Sequence, residues 1–144
     1  MTLPERSRII AECRQLVAAY AFHVDHGHAD RIEALFTDDG YLERGELKLH
    51  GAIQIRQALA QRDPLLQTHH HCSTCHVEVQ SNDRASGVTY FQLFRYQRQA
   101  TEAEMAVPSL KGVDLVGEYH DEFVRMPNGW RFRARVTRSV FRFS

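Results

Sequence analysis

The feature that most constrains this fold is a change of residue pattern near residue 70, because helical patterns precede it and strand patterns follow it. Four segments after that point are rich in Val, Thr, Phe and Tyr and lack internal proline, namely 70–80, 84–96, 113–125 and 130–143. The turn sequences 81–83 and 127–129 each connect two of these segments. Strands joined in this way pair antiparallel, so the second half predicts a four-stranded meander.

The first 62 residues predict three helices. In 4–24, apolar residues recur in steps of three and four, at Ile9, Cys13, Leu16, Val17, Tyr20 and Val24. A shorter pattern starts at Asp30, includes 32–36 and ends at 38–40. A third follows Gly51, with Ile55, Ala58 and Leu59 in register, and 41–49 leaves room only for a short extended excursion with a turn near Gly45.

One longer polar connection, 97–110, separates the second and third predicted strands. We expect it to be a surface loop or a lid over a pocket. Helices before a meander predict an α+β fold, in which the helices pack on one face of a bent antiparallel sheet and leave a cavity on its concave side. The length of 144 residues fits a single domain, 1–144.

Composition argues against several partner classes. Lys plus Arg and Asp plus Glu both total 18, and the isoelectric point is near 7.1, so no bulk field attracts nucleic acid or an anionic membrane. Neither a signal-peptide pattern nor an apolar run of about 20 residues is present, so we expect a cytoplasmic protein. The three cysteines, Cys13, Cys72 and Cys75, predict free thiols.

Six segments carry a resemblance to a known family: "YAFHVD" at 20–25, "LFTDDG" at 35–40, "GAI" at 51–53, "HHCSTCHVEV" at 70–79, "GEYHDEFVR" at 117–125 and "GWRFRAR" at 129–135. In this order and spacing the chain resembles the SnoaL-like branch of the nuclear transport factor two-like superfamily. The resemblance implies a cystatin-like cone with three N-terminal helices, a deep pocket between the first helix and the sheet, and a homodimer or homotrimer. It implies fold more firmly than activity, since the superfamily holds dehydratases, isomerases, cyclases, hydrolases and non-catalytic members.

The resemblance also selects a candidate catalytic group. Tyr20, Asp25 and His70 match the positions where dehydratases of the family have a Tyr, an Asp and a His. Imidazole is the side chain whose ordinary pKa lies near neutral pH, so His70 is the candidate base. Asp25 would orient its ring and stabilise the imidazolium, and Tyr20 would donate its hydroxyl to a substrate oxygen. Packing alone also accounts for a Tyr on an apolar stripe, and capping for an Asp at a helix end.

Further candidates lie on the last two predicted strands. Arg135, at the position of a family Arg, would polarise or bind a substrate, although several other arginines on its strand are ordinary surface charges. Tyr119 and Trp130 are candidates to line the pocket for an aromatic substrate, with core packing as the alternative. Asp121, a candidate to bind substrate, and His120 face opposite sides of their strand, so at most one of them can reach the cavity.

The histidine- and cysteine-rich segment leaves two questions open. His69, His70 and His71 are consecutive, so a shift of one residue in the comparison would move the catalytic role to a neighbour on the other face. Together with Cys72, Cys75 and His76 they suggest a zinc site, but strand alternation divides the six between two faces, so we expect no metal. Thr74 stands where many relatives have Asn.

These observations lead to one main functional hypothesis. We expect a lyase (dehydratase) or isomerase that needs no cofactor and acts on a small, hydrophobic, cyclic or aromatic carbonyl compound by His/Asp acid-base catalysis. The alternatives are a non-catalytic ligand-binding protein similar to the small subunits of ring-hydroxylating dioxygenases, and an enzyme with polyketide-cyclase-like chemistry.

Overall fold

Three helices and six strands form the chain in the computed structural model, which describes residues 1–143. In chain order they are α1 (Leu3–Asp25), α2 (Ala29–Glu33), β1 (Phe36–Arg44), β2 (Leu47–His50), α3 (Ala52–Ala60), β3 (Leu66–Val79), β4 (Arg84–Gln97), β5 (Leu115–Met126) and β6 (Gly129–Arg142). Among these residues, no helix has the length and apolar character needed to cross a bilayer.

The first helix is well defined at its N-terminus by a capping box. The Thr2 hydroxyl accepts a hydrogen bond from the Glu5 backbone N–H, and the Glu5 carboxylate accepts one from the Thr2 backbone N–H. The predicted apolar stripe is confirmed, since all six of its residues are buried against the sheet. The helix ends at Asp25, just before Gly27, whose positive φ of 72° turns the chain away.

The meander of β3 to β6 is confirmed, and each neighbouring pair in it is antiparallel. The complete sheet has the order β2-β1-β6-β5-β4-β3, and its curvature is that of an α+β cone. The first helix packs across β3 and β6, so the concave face and the helix enclose the core.

The prediction that the second helix continues to 38–40 is wrong. The second helix ends at Glu33 and not near Gly40, because Phe36 already begins β1. The expected extended excursion with a turn near Gly45 is confirmed as the β1–β2 hairpin, which also belongs to the main sheet. Because β1 runs parallel to β6, the sheet is mixed and not wholly antiparallel. Pairing across about 90 residues of chain supplies the hydrogen bonds that make 36–44 a strand, and local patterns do not reveal it.

Candidate active site

A cavity of about 590 Å³ opens between the first helix, the third helix and the concave face of the sheet. Its walls include Tyr20 from α1, His70 from β3, Phe91 from β4 and Tyr119 from β5. The prediction that His70 and Tyr20 approach one cavity is therefore confirmed. No residue of the loop 98–110 lines it, so this loop lies at the surface but is not a lid.

The end of α1 and the start of β3 bring Asp25 and His70 together at the cavity wall, which His70 lines. His70 Nδ1 lies 2.6 Å from Asp25 Oδ1, and the two side chains are only 11% and 6% exposed. The His70 backbone N–H also donates to Asp25 Oδ2, at 2.8 Å. Two hydrogen bonds between the same two residues fix both the position of the carboxylate and the plane of the ring.

The Asp25 carboxylate accepts a third hydrogen bond, from Thr68. Thr68 Oγ1 donates to Asp25 Oδ1 at 2.9 Å, and Thr68 Oγ1 itself accepts from Arg62 Nη2 at 2.7 Å. Because Arg62 has no acceptor, it occupies a lone pair of the Thr68 hydroxyl and directs the hydroxyl proton toward Asp25. Burial alone would raise the pKa of Asp25, but the hydrogen bonds from His70 and Thr68 hold it below its usual value.

This arrangement decides which ring nitrogen is available for chemistry. An ionised Asp25 only accepts hydrogen bonds, so the proton between it and His70 belongs to Nδ1. In the neutral ring Nε2 then carries the lone pair, and it has no hydrogen-bond partner among residues 1–143. The site thus holds an imidazole with its basic nitrogen free, on a side chain that lines the cavity.

Two phenols lie on the cavity wall near the dyad. Tyr20 and Tyr119 meet edge to face with ring centroids 5.8 Å apart, and Phe91 stacks on Tyr119 at 4.4 Å. Burial raises the pKa of Tyr20, and it raises the pKa of Tyr119 well above its ordinary value, so both hydroxyls are neutral donors at physiological pH. Neither hydroxyl has a hydrogen-bond partner within the described part of the chain.

Arg135 lies behind these phenols and is fully buried. Its Nε and Nη2 donate to the Asp121 carboxylate at 2.7 and 2.8 Å, and its guanidinium carbon lies 4.4 Å from the Tyr20 ring centroid and 3.9 Å from that of Tyr119. Neither Arg135 nor Asp121 lines the cavity. Neither side chain is therefore placed for the direct substrate contact expected of it, and the Arg135 guanidinium packs instead against the rings of Tyr20 and Tyr119.

The remaining candidates lie away from the cavity. Trp130 is buried in the core at 4% exposure and does not line the cavity, so its expected pocket role becomes one of packing. His120 faces the convex side and bonds to Glu118, which settles that Asp121 is the inward member of that pair.

Neighbours of His70 on β3 point the other way. His69 and His71 are exposed, and His69 Nδ1 lies 2.9 Å from His71 Nε2. The inward residue of the triplet is thus His70. Within residues 1–143, no three histidines, cysteines or acidic residues lie close enough together to hold a metal ion.

Two groups of functional residues were not found from the sequence. Thr68 lies two residues before His70 and hence on the same face of β3, a spacing that marks it as a neighbour once the register is known. Its bonds with Arg62 and Asp25 depend on tertiary contacts. The arginines around the cavity, described below, come from four separate parts of the chain and share no sequence signal.

The fold and the site together define a class of protein: an α+β cone that holds a histidine–aspartate pair in a cavity beneath its first helix. The family model of the SnoaL-like domain matches residues 5–136, so the chain belongs to the SnoaL-like family. No curated protein sequence matches it significantly.

Solved structures support the same fold. A candidate scytalone dehydratase from Novosphingobium aromaticivorans superposes with a TM-score of 0.81 and 19% identity, over 97% of this chain and 89% of that one. The hexachlorocyclohexane dehydrochlorinase LinA-type3 from Novosphingobium barchaimii gives 0.76 and 15%, over 99% and 93%. An NTF2-like protein with a cystatin-like fold, also from N. aromaticivorans, gives 0.73 and 23%, over 90% and 80%. At these identities the likeness concerns the fold.

Proposed function

We propose that this protein is a lyase or isomerase that removes a proton next to a carbonyl group, with His70 as the base. The observation that carries the proposal is the Asp25–His70 hydrogen bond of 2.6 Å, which leaves Nε2 free on a residue of the cavity wall. A positioned base of this kind typically accelerates a proton transfer by about 10²- to 10⁴-fold.

The proposed chemistry follows from the groups present. His70 Nε2 takes the α-proton of a cyclic or aromatic carbonyl compound, and the electron pair of the broken C–H bond moves into the enolate. Asp25 stabilises the imidazolium that forms. The imidazolium then returns the proton to a β-hydroxyl, which leaves as water as the enolate collapses to the enone. With a β,γ-unsaturated ketone the intermediate is a dienolate, and return of the proton to its γ-carbon gives an isomer.

Tyr20 and Tyr119 are the groups that would bind the enolate oxygen. Their hydroxyls stay protonated, are nearly buried and have no partner among the described residues, so they need no rearrangement to donate. Preorganised donors of this kind lower the barrier because the charge that they meet develops in the transition state. Both elimination and isomerisation by this route use only these side chains and no cofactor.

The names of two structural relatives agree with this chemistry. A dehydratase and a dehydrochlorinase are both named for eliminations. The rival hypotheses remain a ligand-binding protein without catalysis, for which a cavity suffices, and polyketide-cyclase-like ring closure, for which the same base would start the reaction. Proton exchange separates the first rival from the proposal.

The test measures exchange of α-protons with deuterated water by NMR, for a cyclic β-hydroxyketone and for its dehydrated enone. The intact protein should exchange the proton and interconvert the two compounds. His70→Ala should lower the rate by about 10²- to 10⁴-fold while the affinity changes only a few-fold, since proton transfer acts on the transition state. Asp25→Asn should also lower turnover, because it favours the wrong tautomer.

His71→Ala is the matched control. It removes an imidazole from the next position of the same strand, on the opposite and exposed face. Its rate should equal that of the unmodified protein. Exchange that persists in His70→Ala would refute the base assignment, and exchange at the buffer rate for the unmodified protein would favour a binding module.

A further inference from the structure

The charge on the cavity wall differs from that of the whole chain. Among its lining residues are four arginines and one aspartate, Asp63, although basic and acidic residues are equal in number over the sequence. The arginines are Arg44, Arg62, Arg95 and Arg142. A cleft with an excess of one sign and low-dielectric walls concentrates ligands of the opposite sign.

Three of these arginines come from strands that run in the same direction. β1, β4 and β6 run in the same direction, because β1 is parallel to β6 and β4 is two antiparallel steps from it. Arg44 and Arg142 are the last residues of β1 and β6, and Arg95 is the third residue from the end of β4. The register sets them at different levels: Arg95 pairs with Thr68 of β3, two residues from Leu93, the partner of His70, whereas Arg44 pairs with Thr137 of β6 and not with Arg142. All three nevertheless line the same cavity.

Strand register relates Arg142 to the base. His70 pairs with Leu93, Leu93 with Leu115, and Leu115 with Arg142, so these four residues form one row across the concave face. Three strand spacings of about 4.8 Å place the Cα atoms of His70 and Arg142 roughly 14 Å apart. The leucines between them also line the cavity. A ligand would thus meet base, apolar surface and cation in that order.

The arginines differ in how far they are already engaged. Arg62 donates to the carbonyl oxygens of Val24 and Leu66 and to Thr68, which makes it part of the framework of the site. Arg95 is about half exposed and only loosely paired, with its Nε 3.7 Å from Asp114 Oδ2. Arg44 forms neither an ion pair nor a side-chain hydrogen bond with any of residues 1–143. Arg44 and Arg95 can therefore turn to an anion without breaking a strong contact.

We propose that the cavity selects ligands with an anionic group, a carboxylate by preference. Arg44 and Arg95, the two weakly engaged arginines of the wall, attract the carboxylate, whose planar oxygens match a guanidinium fork, while Leu93 and Leu115 pack against the body of the ligand. This rests on the proposed function for the reaction at His70, but the anion site is defined for any ligand of the cavity.

The test compares two probes of equal shape, 2-naphthoate and 2-naphthamide, by titration calorimetry with the intact protein. Each of the two exposed arginines should increase the affinity for the carboxylate about threefold, so naphthoate should bind about tenfold more tightly than naphthamide. This difference in affinity should become smaller in high salt. Arg44→Gln and Arg95→Gln should each weaken naphthoate about threefold and leave naphthamide unchanged. The control is Arg133→Gln, an exposed strand arginine outside the cavity, which should change neither affinity. Equal affinities for the two probes, including no detectable binding of either, overturn the proposal.

Failure of this inference is distinguishable from failure of the proposed function. His70→Ala should retain the preference for naphthoate, since it leaves both arginines in place. Preference for the carboxylate without any α-proton exchange would keep the anion site and reject the enzyme. α-Proton exchange by the unmodified protein, together with equal affinities for the two probes, would support the enzyme and reject the anion site.

Discussion

Asp121→Asn is the substitution whose effect on stability follows most directly from the structure. The Arg135 and Asp121 side chains are both 0% exposed, and Asp121 accepts both hydrogen bonds that the guanidinium makes. The third nitrogen, Nη1, is buried with no hydrogen-bond partner among the described residues. Asparagine keeps the shape but removes the carboxylate charge that compensates a fully buried cation. Breaking such a pair costs about 3–5 kcal/mol of unfolding free energy. For a domain of this size that lowers Tm by about 10 °C.

Urea unfolding can measure this loss through Trp130, the single tryptophan, which is buried at 4% exposure and so reports native packing. Glu118→Gln is the control on the same strand, because its pair with His120 is about one third exposed and should contribute less than about 1 kcal/mol. Replacing Asp121 by Leu and Arg135 by Met together should cost less than Asp121→Asn alone, since neither charge is left unpaired. A loss below about 1 kcal/mol for Asp121→Asn would refute the reasoning.

Three further predictions follow from other contacts. The pKa of Asp25 is lowered in the folded protein, so its ionised form contributes stability above the unfolded pKa of about 4, and this contribution is lost as pH falls through the lowered value. The difference in unfolding free energy between the unmodified protein and Asp25→Asn should therefore become smaller in urea titrations at acid pH, and a difference that does not change with pH would contradict this. In Gly117→Ala the new Cβ would meet the Phe91 ring and lie 2.8 Å from the Arg138 backbone oxygen, so unfolding should become easier by about 1–3 kcal/mol in the same titration, and an unchanged midpoint would be evidence against that contact. Exposed apolar side chains on the sheet, such as Phe141 at 61%, predict a homodimer or homotrimer in sedimentation, and a monomer at all micromolar concentrations would argue against it.

Local patterns alone predicted most of the secondary structure. The spacing of three and four residues in 4–24 places one stripe in the core, and the observed helix differs from the prediction by one residue at each end. The strands of the meander and their turns were found in the same way, because alternation and turn residues act over a few positions. Both the family and the pairing of Asp25 with His70 were expected from the resemblance and not from periodicity.

What only the tertiary structure decided involves contacts between distant segments. β1 is a strand because β6 lies beside it, which corrects the expected second helix. His70, not His69 or His71, faces the cavity because the pairing of β3 with β4 sets the register under α1. The sequence suggested that Arg135 binds substrate, yet its guanidinium is bound by the Asp121 carboxylate and packs against the Tyr20 and Tyr119 rings. Periodicity tells which residues share a face of an element; which faces meet, and which charges are then buried or left free, depends on packing energies that the whole chain contributes.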